Sequence, residues 1–394
     1  MFSILGVPML INSKIITNKN IIKKTTENLK FNKILLNKKI IQNNFDVIEI
    51  LTFHRIDDDF YDKNIGISLD VNLIYTILIK QFKNVSITKI RNKSDLNKLA
   101  KRKPNLVFSG IKYFDFSHKK IWLNEFLDQH GISYISSKKS AYDNEKDKSF
   151  AKKIMQKNKI ETSQFFIAKP GQYKTESSLP LDYPLFVKPL DGGDSIGIDK
   201  NSIVYNFKQF QEKVLEINLN QKSVSIVENY LSGKEYSVGI FEHKLSNSLL
   251  AMPIEIIVKS DKKGHRILDY HTKQNDTEKV TAVTNPIIHK QLCDLAKKAF
   301  KVLKGSLIGR IDIKMNDHNI PHFIEANLMP GLKKGYFYRS CAINLKINYE
   351  QMILKIASNA LSSSNNKFNK VLFLRKGINL EKKIIKKVIK KLIA

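Results

Sequence analysis

Residues 309–327, GRIDIKMNDHNIPHFIEAN, limit what this chain can become more than any other stretch. Two strand-like runs flank an Asn-Asp-His-Asn turn signal, which predicts a β-hairpin. Side chains alternate faces along a strand. Arg310, Asp312 and Lys314 therefore share one face of the first run, and Ile311, Ile313 and Met315 take the other. In the second run Phe323, Glu325 and Asn327 fall together. If the runs pair, Asp312 stands beside Glu325 with Asn327 just beyond. Two carboxylates and an amide oxygen suit magnesium, which takes few protein ligands and fills the rest from phosphates and water. Arg310 beside them can balance a developing negative charge. A solvated hairpin face with chance carboxylates explains the hairpin alone equally well.

A second element lies upstream. In VKPLDGGDSIG, residues 187–197, Lys188 ends an apolar strand and Gly192, Gly193 and Gly197 follow in a loop. Glycines let backbone N–H groups close over phosphate oxygens, and a lysine supplies a point charge for them. The stretch is not a P-loop, because Ile198 and Asp199 stand where Lys and Ser/Thr belong. Alone, such a loop is more often a plain turn. A third element is IVENYLSGKEY, residues 226–236. Its strand, running through Glu228, Asn229, Tyr230 and Leu231, offers backbone hydrogen bonds and a flat apolar wall to a purine. Glu235 is then placed to accept from ribose hydroxyls.

The rest of the chain supplies a frame for these pieces. Residues 45–53 read as a buried strand, and residues 68–82 as a helix with Val71, Ile74, Leu78 and Phe82 on one face. Residues 104–110 give a second strand, residues 119–132 a helix stopped by Gly131, and residues 132–135 another strand. That rhythm predicts a parallel α/β unit over 45–140. A helix over 143–160 opens the next unit, taken as 141–230 with the glycine loop. Residues 231–361 then carry the metal face, including a helix over 289–305 with Leu292, Leu295, Ala299 and Val302 as its apolar stripe. Residues 1–44 read as a basic arm and 362–394 as a basic tail ending in an amphipathic helix.

Charge is the one unusual feature of composition: 67 Lys and Arg against 37 Asp and Glu leave +30. The lysines are dispersed rather than confined to one block, as an AT-rich genome would impose. No aromatic residues interleave with basic ones in the way a nucleic-acid surface needs, so no nucleic-acid partner is expected. Cys293 and Cys341 match no metal spacing and no disulfide scaffold, which points to a reducing compartment and hence the cytoplasm. No run reaches the roughly 18 apolar residues of a membrane span, and the apolar start lacks the basic lead of a signal peptide.

The order of lysine strand, glycine loop, purine linker, ribose acid, Arg-Asp strand and Glu-x-Asn strand resembles the ATP-grasp superfamily, and within it the D-alanine–D-alanine ligase family. The motifs that carry the resemblance are Val187-Lys188-Pro189 with Ser195 and Gly197, Glu228 to Glu235, Gly309-Arg310-Ile311-Asp312, and Glu325-Ala326-Asn327 with Pro330-Gly331. It implies an ATP-grasp fold with an N-terminal parallel α/β domain, and a carboxylate–amine ligase working through an acyl phosphate. Lys148 and Lys188 would hold ATP phosphates, with Gly192, Gly193, Ser195, Glu228, Tyr230, Leu231, Glu235 and Phe323 around the nucleotide. Asp312, Glu325 and Asn327 would hold magnesium, or manganese in its place. Arg310 and the Gly331 N–H would stabilise the oxyanion, and Lys273 would sit near phosphate and the second substrate. The resemblance also implies small amino-acid-like substrates and a homodimer.

The substrate side departs from the family pattern. Residues 52–61 lack the family's glycine-rich loop with its glutamate. Asp194 replaces a serine, and Gln274 replaces a tyrosine. The serine that grips the second carboxylate falls near Tyr336, leaving Arg339 to take that role. A ligase joining other amino acids or small acids, and a non-catalytic nucleotide-binding scaffold, stay open as alternatives.

Overall fold

The computed structural model of the protein describes residues 46–53, 65–145, 147–193, 195–260 and 264–364. The basic arm, the tail from residue 365, most of the segment offered as the first substrate loop, and Asp194 lie outside the described residues. All described residues fall in one compact unit, Phe45–Ala394.

Strand Val47–Phe53 occupies the centre of a parallel sheet, between Asn84–Ile90 and Leu106–Phe108, and Ser133–Tyr134 extends it. Its alternation explains its position. Ile48 and Ile50 point into a core shared with Ile74, Leu78 and Phe108, and helix Tyr349–Ser364 closes that core with Met352, Ile353 and Ile356. Leu51 points the other way, against Leu96, Leu99, Val107 and Leu127. A parallel sheet covered on both faces follows from such a pattern. Glu49 shares the second face and is buried, but a two-pronged contact from Arg102 neutralises it at 2.8 and 2.6 Å.

Two helix expectations need correction. The helix expected over 119–132 is only Leu123–Gln129. Residues Lys119–Trp122 instead pair with Tyr113–Phe116 in a hairpin, turned by Ser117 and His118 at φ of 52° and 64°. The aromatic content of this stretch outweighs its helical spacing: Trp122 packs on Tyr113 with ring centres 5.3 Å apart. The helix expected over 143–160 is two, Lys139–Glu145 and Lys148–Lys157. Asp147 starts the second by accepting from the N–H groups of Ser149 and Phe150. Residues 196–205, IGIDKNSIVY, have the β-branched content of a strand, but they form a short 3-10 turn, Lys200–Ser202, capped by Asp199, and only a two-residue strand, Ile203–Val204.

Two antiparallel sheets build the remainder. One has the order Phe165–Ala168, Ser225–Asn229, Leu185–Pro189, Ile203–Val204 and packs under helix Phe207–Gln221. The other runs Lys279–Ala282, Ser248–Ile257, Glu235–His243, Ile308–Met315, Pro321–Asn327. Helix Pro286–Val302 covers it with Leu292, Leu295, Ala296 and Ala299, starting from an Asn285 cap and Pro286 in the first turn. A cleft opens between these two sheets.

Candidate active site

The hairpin pairs in the register the sequence suggests at its functional end: Asp312 faces Glu325 and Arg310 faces Asn327. A bulge intervenes between Asp312 and Ile313, so Ile313 faces Phe323 rather than Ile324. The extra residue reverses the alternation. Phe323, expected at the nucleotide, is instead fully buried in the core with Ile313 and Met315. Ile324 takes its place in the cleft wall.

Asp312 is 8% exposed and tightly held. Arg310 donates to it in a fork, Nε to Oδ1 at 3.0 Å and Nη2 to Oδ2 at 2.8 Å, and Ser237 Oγ donates to Oδ1 at 2.6 Å. Burial opposes ionisation of Asp312, but Arg310 outweighs it and holds the carboxyl below its usual range. Burial likewise opposes the Arg310 charge, and Asp312 more than restores it. The Glu325 side chain makes no hydrogen bond or ion pair among the described residues, and it lines the cleft alongside Asp312, Lys148, Lys188 and Lys273. The cleft encloses about 840 Å³, counting its open mouth.

The phosphate end is built around a buried carboxylate. Lys188, 3% exposed, places Nζ 3.0 Å from Glu228 Oε1, and Lys152 places its own 3.3 Å from the same atom. Lys152 is fully buried and also donates to Thr162 and Ser163 hydroxyls at 2.8 Å each, while Ser163 Oγ donates to Glu228 Oε2. Burial lowers the Lys152 pKa to about 8 against the pull of Glu228. Burial raises Glu228, yet Lys152 and Lys188 together hold it below its ordinary value. Glu228 therefore acts as the counter-ion that orients Lys188, in a wall position where the sequence suggested a purine contact. Lys148 donates to the carbonyls of Leu190 and Gly192, at 3.3 and 2.8 Å, and so ties the glycine loop to its helix.

The loop itself requires its glycines. Gly197 sits at φ +76°, and an added Cβ would lie 2.6 Å from Pro189 Cγ. At Gly192 and Gly193 an added Cβ meets nothing within 4 Å, so their backbone borders open space. Ser195 Oγ donates to Leu268 O at 2.8 Å, and Lys314 Nζ to Arg266 O at 3.1 Å. Tyr205 Oη lies 2.6 Å from His265 Nε2. These contacts fix residues 264–269 beside the cleft, and Asp269 then caps helix Tyr270–Asn275, which carries Lys273 into the wall.

The other end of the cleft is apolar. Phe186, Tyr230, Leu231, Ile198, Leu268 and Ile324 line it, with Phe186 and Tyr230 rings stacked at 6.5 Å. Glu235 lines the middle, 3.3 Å from Lys314. Arg310, Asn327, Gly331, Tyr336 and Arg339 are not part of the wall. Arg339, expected to grip a substrate carboxylate, is already paired with Asp276 and Glu278. The Tyr336 ring centre is 5.6 Å from the Arg310 guanidinium and 5.9 Å from that of Arg339; burial, the Glu278 charge and a hydrogen bond with Glu278 push its phenol up.

Sequence reasoning missed Lys152, Lys314 and Glu278. Lys152 lies four residues after Lys148, one helical turn along the same face, which was a usable signal. Lys314 was placed on the Asp312 face without a role. Nothing local marks Glu278, whose partners are 58 and 61 residues away in sequence.

The donor set fits magnesium–nucleotide at this place. Asp312 and Glu325 supply hard oxygen atoms, and among the described residues no group of three or more His, Cys, Asp or Glu forms a self-sufficient metal cage. A cation held here would complete its shell from phosphate and water, as magnesium does. Buried lysines at one end and an apolar slot at the other match a triphosphate and a base.

The family model described as D-ala D-ala ligase C-terminus matches residues 154–358, just over half the chain. The D-alanine–D-alanine ligase of Methylacidiphilum infernorum is 29% identical over 237 residues, 59% of this chain and 72% of that protein. D-alanine–D-alanine ligase A of Bacillus cereus is 28% identical over 244 residues, 61% and 75% of the two chains. Among solved structures, the D-alanine–D-alanine ligase of Bacillus anthracis complexed with ATP superposes with a TM-score of 0.60 at 21% identity, over 82% of this chain and 99% of that one. The Coxiella burnetii enzyme gives 0.55 at 14% identity. At these identities the likeness shows the fold, which is ATP-grasp.

Proposed function

The chain belongs to the D-alanine–D-alanine ligase family, and from that premise we propose that it is an ATP-dependent carboxylate–amine ligase. The observation that carries the reading is the single cleft that brings Lys148, Lys188, Asp312 and Glu325 together beneath an apolar slot. The reaction transfers the γ-phosphate to a carboxylate. An amine then displaces phosphate from the acyl phosphate, leaving an amide, ADP and phosphate.

The chain's own groups divide this work. Lys148 and Lys188 bind phosphate oxygens, and Glu228 with Lys152 keeps Lys188 aimed. The glycine loop contributes backbone N–H groups. Phe186, Tyr230 and Leu231 receive the base, and Glu235, steadied by Lys314, accepts from the ribose. Asp312, Glu325 and Asn327 would hold magnesium, with manganese as a substitute; when bound, the cation would offset phosphate charge and polarise the transferred group. Arg310 lies behind Asp312 and stabilises negative charge developing next to it, with the Gly331 N–H as a second donor. Lys273 adds a positive charge on the substrate side. In this reading residues 141–230 and 231–361 form the two lobes of the nucleotide site, and 45–140 a preceding α/β domain. Small amino acids are the substrates, a homodimer is the working form and the cytoplasm its place. No helix among the described residues is long and apolar enough to cross a membrane.

Phosphate release from purified protein, given magnesium–ATP and pairs from an amino-acid panel including both alanine enantiomers, tests the reading. Release that needs an acid and an amine together supports it. Tight nucleotide binding with no release for any pair would favour a scaffold.

A further inference from the structure

Strand Pro321–Asn327, which carries Glu325 and Asn327, lies at the edge of its sheet, so among the described residues no strand of that sheet flanks its outer side. It is held at two other points. Before Glu325, the Phe323 N–H donates to Glu161 O and the Phe323 carbonyl accepts from Thr162 Oγ1, both at 2.8 Å. Thr162 accepts in turn from Lys152, so this point leans on the phosphate-end cluster. After Asn327, both backbone groups of the fully buried Leu328 are gripped. Its N–H donates to Glu145 Oε2, and its carbonyl accepts from the buried Ser137 Oγ at 3.1 Å. Glu145 ends helix Lys139–Glu145.

A buried carboxylate is a costly way to accept one N–H. The Glu145 side chain is 9% exposed, and among the described residues its ion pair is with Lys112, Nζ 3.4 Å from Oε1. Burial pushes the Glu145 carboxyl up, Lys112 and the Leu328 N–H pull it down, and the Glu325 charge pushes it up again. Glu145 is therefore close enough to feel the cation-binding carboxylate, although it does not line the cleft.

Resting on the ligase reading, we propose that Glu145 is a positioning residue for the metal corner. By holding the Leu328 N–H it fixes the chain just past Asn327. With Thr162 on the near side, it sets where Glu325 and Asn327 present oxygen to the cation. Asp312 is held independently, by Arg310 and Ser237. Loss of the Glu145 acceptor therefore shifts Glu325 and Asn327 against Asp312, and leaves the lysines and the apolar slot in place.

The test uses the full chain with Glu145→Ala, Glu145→Gln, and Glu145→Gln combined with Lys112→Met. Each protein is loaded with a non-hydrolysable ATP analogue, and manganese binding is read from the paramagnetic resonance signal of the free ion. Affinity for the analogue without metal, kcat for an amino-acid pair and the urea midpoint are measured alongside. Glu145→Ala should weaken manganese binding and kcat by about tenfold or more, and leave metal-free analogue affinity within about twofold. Glu145→Gln alone should also lose, because its amide, accepting from Leu328, turns an N–H towards the Lys112 ammonium. The double variant keeps the acceptor without that conflict and should return to within about threefold of the parent. These two variants decide the matter if Glu145→Ala does not fold. Parent-like manganese affinity in folded Glu145→Ala, a double variant no better than Glu145→Gln, or an equal loss of metal-free analogue affinity overturns the positioning role; turnover by the parent then leaves the ligase reading intact. The expected order of manganese affinities in a parent that turns over no pair overturns the ligase reading and keeps the role. No manganese binding by the parent overturns both.

Discussion

Replacing Asp312 by Asn separates two roles that the structure places on one carboxylate. Asn keeps an oxygen for Ser237 Oγ and Arg310 Nε. Its amide NH2 then meets Arg310 Nη2 where a carboxylate oxygen now lies at 2.8 Å, donor against donor. The Arg310 side chain is only 15% exposed, so its charge is left unmatched in a poorly solvated place. Breaking a buried pair from one side costs about 3–5 kcal/mol, and we expect Asp312→Asn near the lower end because the hydrogen bonds from Ser237 Oγ and Arg310 Nε survive. Glu325→Gln is the comparison. Glu325 has no ion pair among the described residues, so that change should stay within about 0.5–1 kcal/mol. Both variants remove a charged oxygen from the proposed cation site, and a loss of about 3 kcal/mol in transition-state stabilisation is roughly 100-fold in rate. Urea unfolding and phosphate release on both variants decide the matter. We expect equal losses of turnover and unequal losses of stability. Full activity in Glu325→Gln, or an unaltered unfolding midpoint in Asp312→Asn, would refute this reasoning.

Glu228→Gln should cost on the order of 3–5 kcal/mol at pH 7, because Lys152 and Lys188 both lose their counter-ion; urea unfolding reads it. Glu228 and Asp312 both have folded pKa values below their unfolded ones, so their stabilisation is complete above about pH 4.5 and is lost as pH falls through the folded values. Either neutral variant should flatten the acid limb of the stability profile. Gly197→Ala should destabilise by more than about 1 kcal/mol, from its positive φ and the contact with Pro189, whereas Gly193→Ala should spare stability and raise the KM for ATP. Chelation should abolish turnover, and magnesium or manganese should restore it.

What could be read from the sequence was whatever depends on short-range alternation. Asp312 beside Glu325 follows from period two and a turn, and both are found. Phe323 was misplaced because a single bulged residue inverts every side chain beyond it, and no residue type announces a bulge there. Lys188 was recognised as a cation at a strand end, but its counter-ion arrives from a strand about 40 residues later through an antiparallel pairing the sequence does not spell out. For the same reason Glu228 looked like a purine contact and proved to be buried between two lysines. Arg339 looked free because Asp276 and Glu278 come from the far edge of the sheet. In the separate hairpin Tyr113–Trp122, helical spacing over 119–132 lost to aromatic pairing across a two-residue turn. Long-range neutralisation of charge, rather than local pattern, is what the sequence hid.

The central claim is that a carboxylate becomes an acyl phosphate in the cleft holding Lys188, Asp312 and Glu325. An amino-acid substrate carrying 18O in both carboxylate oxygens tests it directly, by mass analysis of the phosphate released during turnover. The account expects an 18O atom from the acid in the released phosphate, and that label missing from phosphate formed along with amide product would contradict it.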